Sequence, residues 1–399
     1  MLGLVSGGML LAFWGWMTAT AVSPDLQLRW SLTESQVGLL TTAVQLGFVL
    51  GTAAAALLNL ADIVSSRAYF AASSVLAAGA NAALLVLPSF ESALVARLLT
   101  GFFLAGVYPP GMKMVATWFR SARGLAIGTV VGALTVGKAM PYMLKAVGGA
   151  DPTYVIGGAS VAGVLAGIAI GAGYRDGPYA FPQRPFQWSR VGRILRHRET
   201  MLATGGYLGH MWELYAMWTW IPTFLAIAAA DRIGERAVDF AAFGAIAIGG
   251  LGCVWGGFAA DRVGRDRVVN LAMAVSGVCC VLVGFTLGAP FWVIVLLTWI
   301  WGFFVVADSA QFSAMVTEVA PAESVGTALT LQTSLGFLLT MVTIQAVPAV
   351  VDTVDWKWAF TFLALGPVVG IWSIRRLMAV QRIDSAGPNP RADDPAPEG

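Results

Sequence analysis

Few residues of this chain can carry a charge or move a proton within its long apolar stretches, and the richest group of them spans residues 207–220. There His210 and Glu213 stand three positions apart, with Tyr215 two residues further on. On a helix, a separation of three places two side chains next to each other on one face. Imidazole and carboxylate groups take up and release protons readily, so the pattern predicts proton carriers or polar ligands for a small solute. The alternative is a structural ion pair between Glu213 and a Lys or Arg.

Four other charged residues lie inside apolar stretches, namely Arg97, Lys113, Lys138 and Asp308. A charge at the centre of a membrane costs about 2.5–3.5 kcal/mol, so each needs a partner or a water-filled cavity. Lys138 either lines such a cavity and attracts an anion, or extends its long stem to the membrane surface. Asp308, three positions before Gln311, predicts a pair with a cation or a site for a coupling ion.

The composition excludes a soluble fold. Of 399 residues, 57% are hydrophobic and 12% are charged, whereas a soluble domain carries about 25% charged residues. The net charge of +2 and the lack of a basic stripe argue against a nucleic-acid partner. The three cysteines lie in apolar runs without the spacing of metal ligands, so we expect small buried residues, no metal site and no cofactor.

Twelve segments are long and apolar enough to cross a bilayer, which requires about 20 residues each. The sequence therefore predicts an all-α membrane protein with twelve transmembrane helices. The approximate bounds are residues 3–22, 37–60, 68–87, 92–118, 123–146, 152–173, 201–229, 237–259, 268–288, 290–315, 325–349 and 356–378.

The longest polar stretch divides these segments into six and six. We expect an N-terminal six-helix bundle over residues 1–174, a basic cytoplasmic linker over 175–200, a C-terminal six-helix bundle over 201–380 and a disordered cytoplasmic tail over 381–399. Most of the 24 Lys and Arg residues then fall on one side of the membrane, and the positive-inside rule puts both termini in the cytoplasm. The opposite side receives Arg29, Lys145, Arg232, Arg236 and Lys357.

A short charged motif occurs once in each half. Residues 257–267 read GFAADRVGRDR, and a weaker copy spans residues 60–67. A carboxylate such as Asp261 can pair with an Arg or cap a neighbouring helix N-terminus, worth about 0.3–2 kcal/mol. Such a bond can hold one state of a gate, and the alternative is a static, solvated turn. The candidate gating residues are Asp62, Arg67, Gly257, Asp261, Arg262, Gly264 and Arg265.

Over nearly its whole length the chain resembles the major facilitator superfamily. Residues 257–267 are similar to that superfamily's loop between the second and third helices of each half, and residues 97–110 (RLLTGFFLAGVYPP) are similar to its fourth-helix motif. The resemblance implies two pseudo-symmetric six-helix bundles that work by alternating access as a monomer, and it gives Arg97 a role in the cavity or in proton coupling. The first loop copy departs from the family pattern, with Leu58 where the family has Gly.

Three basic residues within the predicted helices favour a small organic or inorganic anion as the solute, carried together with protons across a plasma or inner membrane. Nitrate porters of the superfamily carry an Arg in the second helix of each half, and residues 42–60 and 237–260 contain none. The predicted substrate and coupling residues are Arg97, Lys138, His210, Glu213, Asp308, Tyr215 and Gln311.

Two other functions compete with anion transport. Proton-driven efflux of hydrophobic or cationic compounds is favoured by the aromatic seventh segment, but the fifth segment lacks the Gly-Pro and paired glycines of the superfamily's antiporters. An intramembrane enzyme is disfavoured, because the sequence contains no metalloprotease motif, nucleophile elbow or phosphate-binding loop.

Overall fold

The computed structural model describes residues 1–58, 60–119, 123–148, 151–179, 186–230 and 232–385, and helices dominate this part of the chain. Ten of them precede residue 174 and are called here the N-terminal helices. They are α1 (Leu2–Ala12), α2 (Thr18–Ala21), α3 (Ser23–Trp30), α4 (Glu34–Leu57), α5 (Leu60–Ile63), α6 (Ser66–Ala82), α7 (Phe90–Leu104), α8 (Tyr108–Ala116), α9 (Arg123–Gly148) and α10 (Pro152–Gly173).

The described residues after 174 form a short linking helix and seven further helices, called here the C-terminal helices. The linking helix is α11 (Trp188–Arg196). The C-terminal helices are α12 (Arg198–Ala229), α13 (Glu235–Val263), α14 (Arg265–Leu282), α15 (Phe291–Ala307), α16 (Ser309–Val319), α17 (Val325–Val354) and α18 (Leu365–Ser385).

Within the described ranges, ten helical stretches are long and apolar enough to cross a membrane, and they cover ten of the twelve predicted segments. The other two predicted segments fall on a shorter apolar helix, Leu2–Gly15, and on α12, which has 32 residues and is less apolar. The all-α, multi-pass architecture is therefore confirmed, whereas length and composition establish ten spans rather than twelve.

Three segments that the sequence predicted as continuous helices are interrupted. The first changes to a 3-10 turn at Phe13–Gly15 and resumes at α2. The fourth breaks between α7 and α8, because Pro109 and Pro110 occupy the first turn of α8, where a missing N–H is tolerated. The tenth breaks between α15 and α16 at Asp308.

The N-terminal and C-terminal helices meet chiefly along two pairs, α9 with α13 and α4 with α17, and α9 also contacts α16. Glycines bring the backbones of α9 and α13 close together: a Cβ at Gly128 would lie 2.7 Å from the carbonyl oxygen of Cys253, and one at Gly132 would lie 2.6 Å from that of Gly250. In a membrane, small residues of this kind allow tight helix packing. We call this contact the glycine seam.

Helices extend into the predicted linker and into the start of the predicted tail. Residues 175–200 include α11 and the first turn of α12, and α18 continues to Ser385, past the predicted start of the tail. The remainder of that predicted tail, residues 386–399, lies outside the described residues.

Candidate binding cavity and its charged residues

A cavity of about 70 Å³, measured as the space open to the centres of water molecules, lies between the N-terminal and C-terminal helices. Aromatic rings from both groups form much of its wall. Hydroxyl groups from Tyr108, Thr135, Tyr207, Ser309, Ser313 and Thr333 add hydrogen-bonding capacity. The described residues that line it include one cation, Lys138, and no carboxylate.

The ammonium group of Lys138 is buried within a box of aromatic rings. Its Nζ atom lies 4.2 Å from the ring centre of Trp16, 4.7 Å from Tyr215, 5.1 Å from Trp218 and 5.4 Å from Phe13. It donates a hydrogen bond to the Tyr215 hydroxyl at 2.5 Å. Across the described part of the chain, no carboxylate oxygen lies within 4.0 Å of this group. Rings and one hydroxyl stabilise a cation without neutralising it.

Close packing of α9 against α1 positions Lys138 in this box. A Cβ at Gly137 would lie 2.2 Å from the carbonyl oxygen of Leu10, so the two backbones touch one residue before Lys138. Trp16, at the interruption of the first segment, also packs on Phe48 and Phe337 with ring centres 5.3 and 5.9 Å away. Sequence reasoning did not single out Trp16, because aromatic residues are common throughout these helices.

Arg97 lies away from the cavity wall and binds the backbone of the interrupted first segment. It is fully buried, and its guanidinium donates to the carbonyl oxygens of Gly15, at 2.8 Å, and Trp16, and to Oδ1 of Asn81 at 3.2 Å. The 3-10 turn leaves carbonyl groups without helical partners, and Arg97 satisfies them. The predicted substrate-binding residue therefore holds the backbone of Trp16 through its carbonyl group.

Glu213 has a set of donors within the C-terminal helices. Its carboxylate accepts hydrogen bonds from the Ser276 hydroxyl at 3.0 Å, the Cys280 thiol at 3.2 Å and the Trp301 indole. No Lys or Arg pairs with it in the described residues, so the structural ion pair considered from the sequence is absent there.

His210 and Asp308 form a buried pair. The Nδ1 atom of His210 lies 2.9 Å from Oδ1 of Asp308, and both side chains are at most 2% exposed. His210 and Glu213 share α12, as the sequence predicts, but they contact different partners: His210 faces the α15–α16 break, whereas Glu213 faces α14 and α15.

Gln311 is separated from the cavity and bound to the charged loop. Its Oε1 atom accepts a hydrogen bond from Arg265 Nη1 at 3.0 Å, and Arg265 Nε donates to Glu318 at 2.9 Å. The predicted cavity residue thus ties the start of α14 to α16.

The last turn of α13 contacts the N-terminal helices through Asp261. A Cβ at Gly124 would lie 2.8 Å from both carboxylate oxygens of Asp261, which places this carboxylate against the first turn of α9. Negative charge at that position interacts favourably with a helix N-terminus. Gly264 ends α13 with φ of 97°, a conformation that favours glycine.

The remaining candidate gating residues make fewer contacts. Arg262 lies over the ring of Phe258 at 3.8 Å, and the backbone of Gly257 packs against that of Gly124. Arg67 is exposed, and the side chain of Asp62 lies outside the described part of the structure. The first copy of the motif therefore has no counterpart to the Asp261 contact among the described side chains.

At the opposite end of the glycine seam, Lys145 of α9 forms an ion pair with Asp239 of α13, with Nζ and Oδ1 3.5 Å apart. Burial raises the pKa of Asp25, whose carboxylate also interacts with Lys145. On the α4–α17 side, Ser35 donates to Gln345 at 3.0 Å. Sequence reasoning treated Lys145 only as a loop charge, because its partner lies almost one hundred residues away.

A family model, the Major Facilitator Superfamily, matches residues 5–252 and again residues 237–398. The two matches cover nearly the whole chain. No curated protein gives a significant match. Members of this family are transporters and not enzymes. Two matches of one family model, apolar helices that can cross a membrane and a central cavity agree with one another, and the chain belongs to the major facilitator superfamily of membrane transporters.

Proposed function

We propose that this protein transports a small anion by alternating access, with Lys138 as the anion-binding charge and protons as the coupling ion. The observation that carries the proposal is the buried ammonium of Lys138, which lies in the cavity without a carboxylate partner in the described residues. A buried charge without a counter-charge is unfavourable. An anion in the cavity supplies that counter-charge.

The size and polarity of the cavity support a small solute. A volume of about 70 Å³ holds a few water molecules or a small inorganic or organic anion. The hydroxyls of Tyr215, Ser309 and Thr333 are suitable donors for anion oxygen atoms.

The chain is proposed to cross the membrane twelve times, with Leu2–Gly15 and α12 as the first and seventh spans and with both termini in the cytoplasm. The 32-residue length of α12 is sufficient for a span, and its polar residues are turned toward protein partners. The excess of Lys and Arg in one set of loops supports this orientation. A plasma or inner membrane location and a monomeric state belong to the same proposal.

Alternating access requires the two groups of helices to separate at one end at a time. We expect the contact between Asp261 and α9 to hold the cytoplasmic end of the glycine seam and the Lys145–Asp239 pair to hold the outer end. Both contacts are present in this structure, and the cavity between them is small.

Efflux of hydrophobic cations remains the competing function, because aromatic boxes bind cations. In this protein, however, the box is already filled by the ammonium of Lys138. A cationic substrate would meet a like charge and, among the described lining residues, no carboxylate. The geometry therefore favours an anion.

The test is uptake by proteoliposomes of labelled nitrate, methanesulfonate, lactate and oxalate, with and without an inward proton gradient. We expect uptake of one of these anions that Lys138→Gln abolishes and that Lys357→Gln, a control at an exposed outer position, leaves unchanged. Export of a lipophilic dye by wild type, without uptake of any anion, would contradict anion transport and support efflux.

A further inference from the structure

We propose that His210 and Asp308 together form the proton-binding site, and that one proton crosses the membrane with each monovalent anion, so that transport is electroneutral. This inference rests on the proposed anion transport. It adds the location of the proton site, in the C-terminal helices and apart from Lys138, and the ratio of protons to anions.

His210 and Asp308 form a close, buried pair with one ring nitrogen unpartnered in the described residues. His210 Nδ1 and Asp308 Oδ1 are 2.9 Å apart and almost fully buried. The imidazole packs against the rings of Phe312 and Tyr207, with ring centres 5.4 and 6.1 Å away. The other ring nitrogen, Nε2, has no hydrogen-bond partner within the described residues. This nitrogen is the position at which a proton can be gained or lost.

The net charge of the His210–Asp308 pair depends on its protonation. When the pair holds one proton more than neutral His with Asp⁻, it has no net charge, either as His⁺ with Asp⁻ or as neutral His with protonated Asp. After loss of that proton, neutral His remains beside Asp⁻ and the pair carries one negative charge. A buried single charge among aromatic rings is unfavourable, so the pair alternates between a stable protonated form and a deprotonated form that needs a nearby cation.

The His210–Asp308 pair lies close to the cavity that contains Lys138. Met211 and Ser309 follow His210 and Asp308 directly in the chain and line the cavity, so the pair lies immediately behind the cavity wall. The thiol of Cys253 interacts electrostatically with both Asp308 and Lys138, so both charged groups lie in its neighbourhood. Deprotonated Asp308 is therefore near the positive charge of Lys138 when no anion is bound in the cavity.

These positions explain why the two ions travel together. In the empty protein, Lys138 is positive and the deprotonated pair is negative. When an anion neutralises Lys138, the negative pair loses its favourable neighbour and binds a proton. One cation in the cavity accepts one negative charge and one pair accepts one proton, which gives a ratio of one to one.

Other titratable groups near the pair do not replace it as the proton site. In the described part of the chain, the groups that interact with Asp308 are Glu213 of α12 and Cys253 of α13, and Tyr207 of α12 contacts His210. Glu213 already accepts hydrogen bonds from Ser276, Cys280 and Trp301. These three donors occupy its oxygens, whereas Nε2 of His210 has no hydrogen-bond partner in the described residues. Glu213→Gln is a matched control for Asp308→Asn, because both changes convert a buried carboxylate to an amide.

The experiment compares net uptake with exchange in proteoliposomes, using labelled nitrate, methanesulfonate and lactate in turn. Exchange of internal for external anion needs no change in protonation, whereas accumulation driven by a proton gradient does. We expect Asp308→Asn and His210→Gln to lose gradient-driven accumulation and to keep exchange, whereas Glu213→Gln keeps both. Lys138→Gln loses both.

A measurement on wild type alone guards against variants that fail to fold. An internal pH dye should record one proton per anion, and a potassium diffusion potential set with valinomycin should not change the uptake rate. A strong response to the potential, or gradient-driven accumulation retained by both pair variants, would overturn this inference and leave anion transport standing. If wild type takes up none of the anions, the proposed function itself is wrong.

Discussion

Lys138 and Glu213 are both buried charges in the interior of the protein, but their surroundings differ. Glu213 accepts three hydrogen bonds from α14 and α15 of its own group of helices. Lys138, on the N-terminal helices, is surrounded by aromatic rings and donates to a single hydroxyl, that of Tyr215 on the C-terminal helices. A charge with a full set of partners stabilises the fold, whereas a charge without a counter-ion is available to a ligand. On this difference we propose Glu213 as a structural charge and Lys138 as a binding charge.

Arg97 belongs with Glu213 in this comparison, although it is a cation like Lys138. Its guanidinium donates from both terminal nitrogens to two backbone carbonyls and one amide oxygen of the N-terminal helices, and its Nε atom has no partner in the described residues. Charge sign and depth are therefore the same for Arg97 and Lys138, and the two residues differ in their hydrogen-bond partners.

The comparison predicts opposite outcomes for two conservative changes. Lys138→Gln should abolish anion uptake and leave the melting temperature close to that of wild type, since it removes a buried charge. Glu213→Gln should keep uptake and lower the melting temperature. The amide nitrogen of Gln cannot accept the hydrogen bonds that Ser276 and Trp301 donate to the carboxylate. Uptake assays and thermal unfolding in detergent measure both, and loss of uptake in Glu213→Gln would break the distinction.

Arg97→Met should have the largest effect on stability. It leaves the carbonyls of Gly15 and Trp16 and the amide oxygen of Asn81 without their donor, at about 1–3 kcal/mol for each buried acceptor left unpaired. We expect a lower melting temperature and less folded protein by size-exclusion chromatography. Equal stability with lost anion binding would instead assign Arg97 to the binding site.

Trp16→Leu should weaken anion binding without abolishing it. The ring lies 4.2 Å from Lys138 Nζ, and cation–π contacts contribute about 0.5–2 kcal/mol, so the affinity should fall by roughly 2- to 30-fold. Phe13→Leu, whose ring is 5.4 Å away, should give a smaller change in KM. Equal effects would show that the rings act only as packing.

The Lys145–Asp239 pair should give the smallest effect. Its side chains are 15% and 12% exposed, and a pair of this kind contributes about 0.2–1 kcal/mol. Lys145→Gln should change the uptake rate by no more than a few-fold, and high salt should reduce that change. The double exchange Lys145→Asp with Asp239→Lys should restore the rate if the pair holds the outer end of the glycine seam.

Much of the fold was predictable from the sequence. Apolar length located the spanning segments, and two short motifs indicated the family, because both depend on residues close together in the chain. The helix interruption at Asp308 was not predictable, since it contains neither Gly nor Pro. Pro109 and Pro110 explain the break between α7 and α8, so this interruption was predictable from the sequence.

The candidate site was predicted as a set of residues and not as an arrangement. Polarity inside apolar helices identified Lys138, His210, Glu213 and Asp308. Their partners could not be inferred, because each contact joins distant parts of the chain: Lys138 with Tyr215, and His210 with Asp308. The aromatic box was missed for the same reason, since Trp16 and Trp218 are separated by about two hundred residues and meet only in the folded protein.

The burial of all three cysteines has a practical consequence for watching this transporter move. Cys253, Cys279 and Cys280 are each at most 2% exposed, so water-soluble maleimides should leave the wild-type protein unlabelled. The native cysteines should therefore contribute little background signal when labels are attached to introduced cysteines. Spin labels attached to cysteines introduced at exposed ends of α9 and α13 would report distances between the two groups of helices directly, without first removing the native thiols.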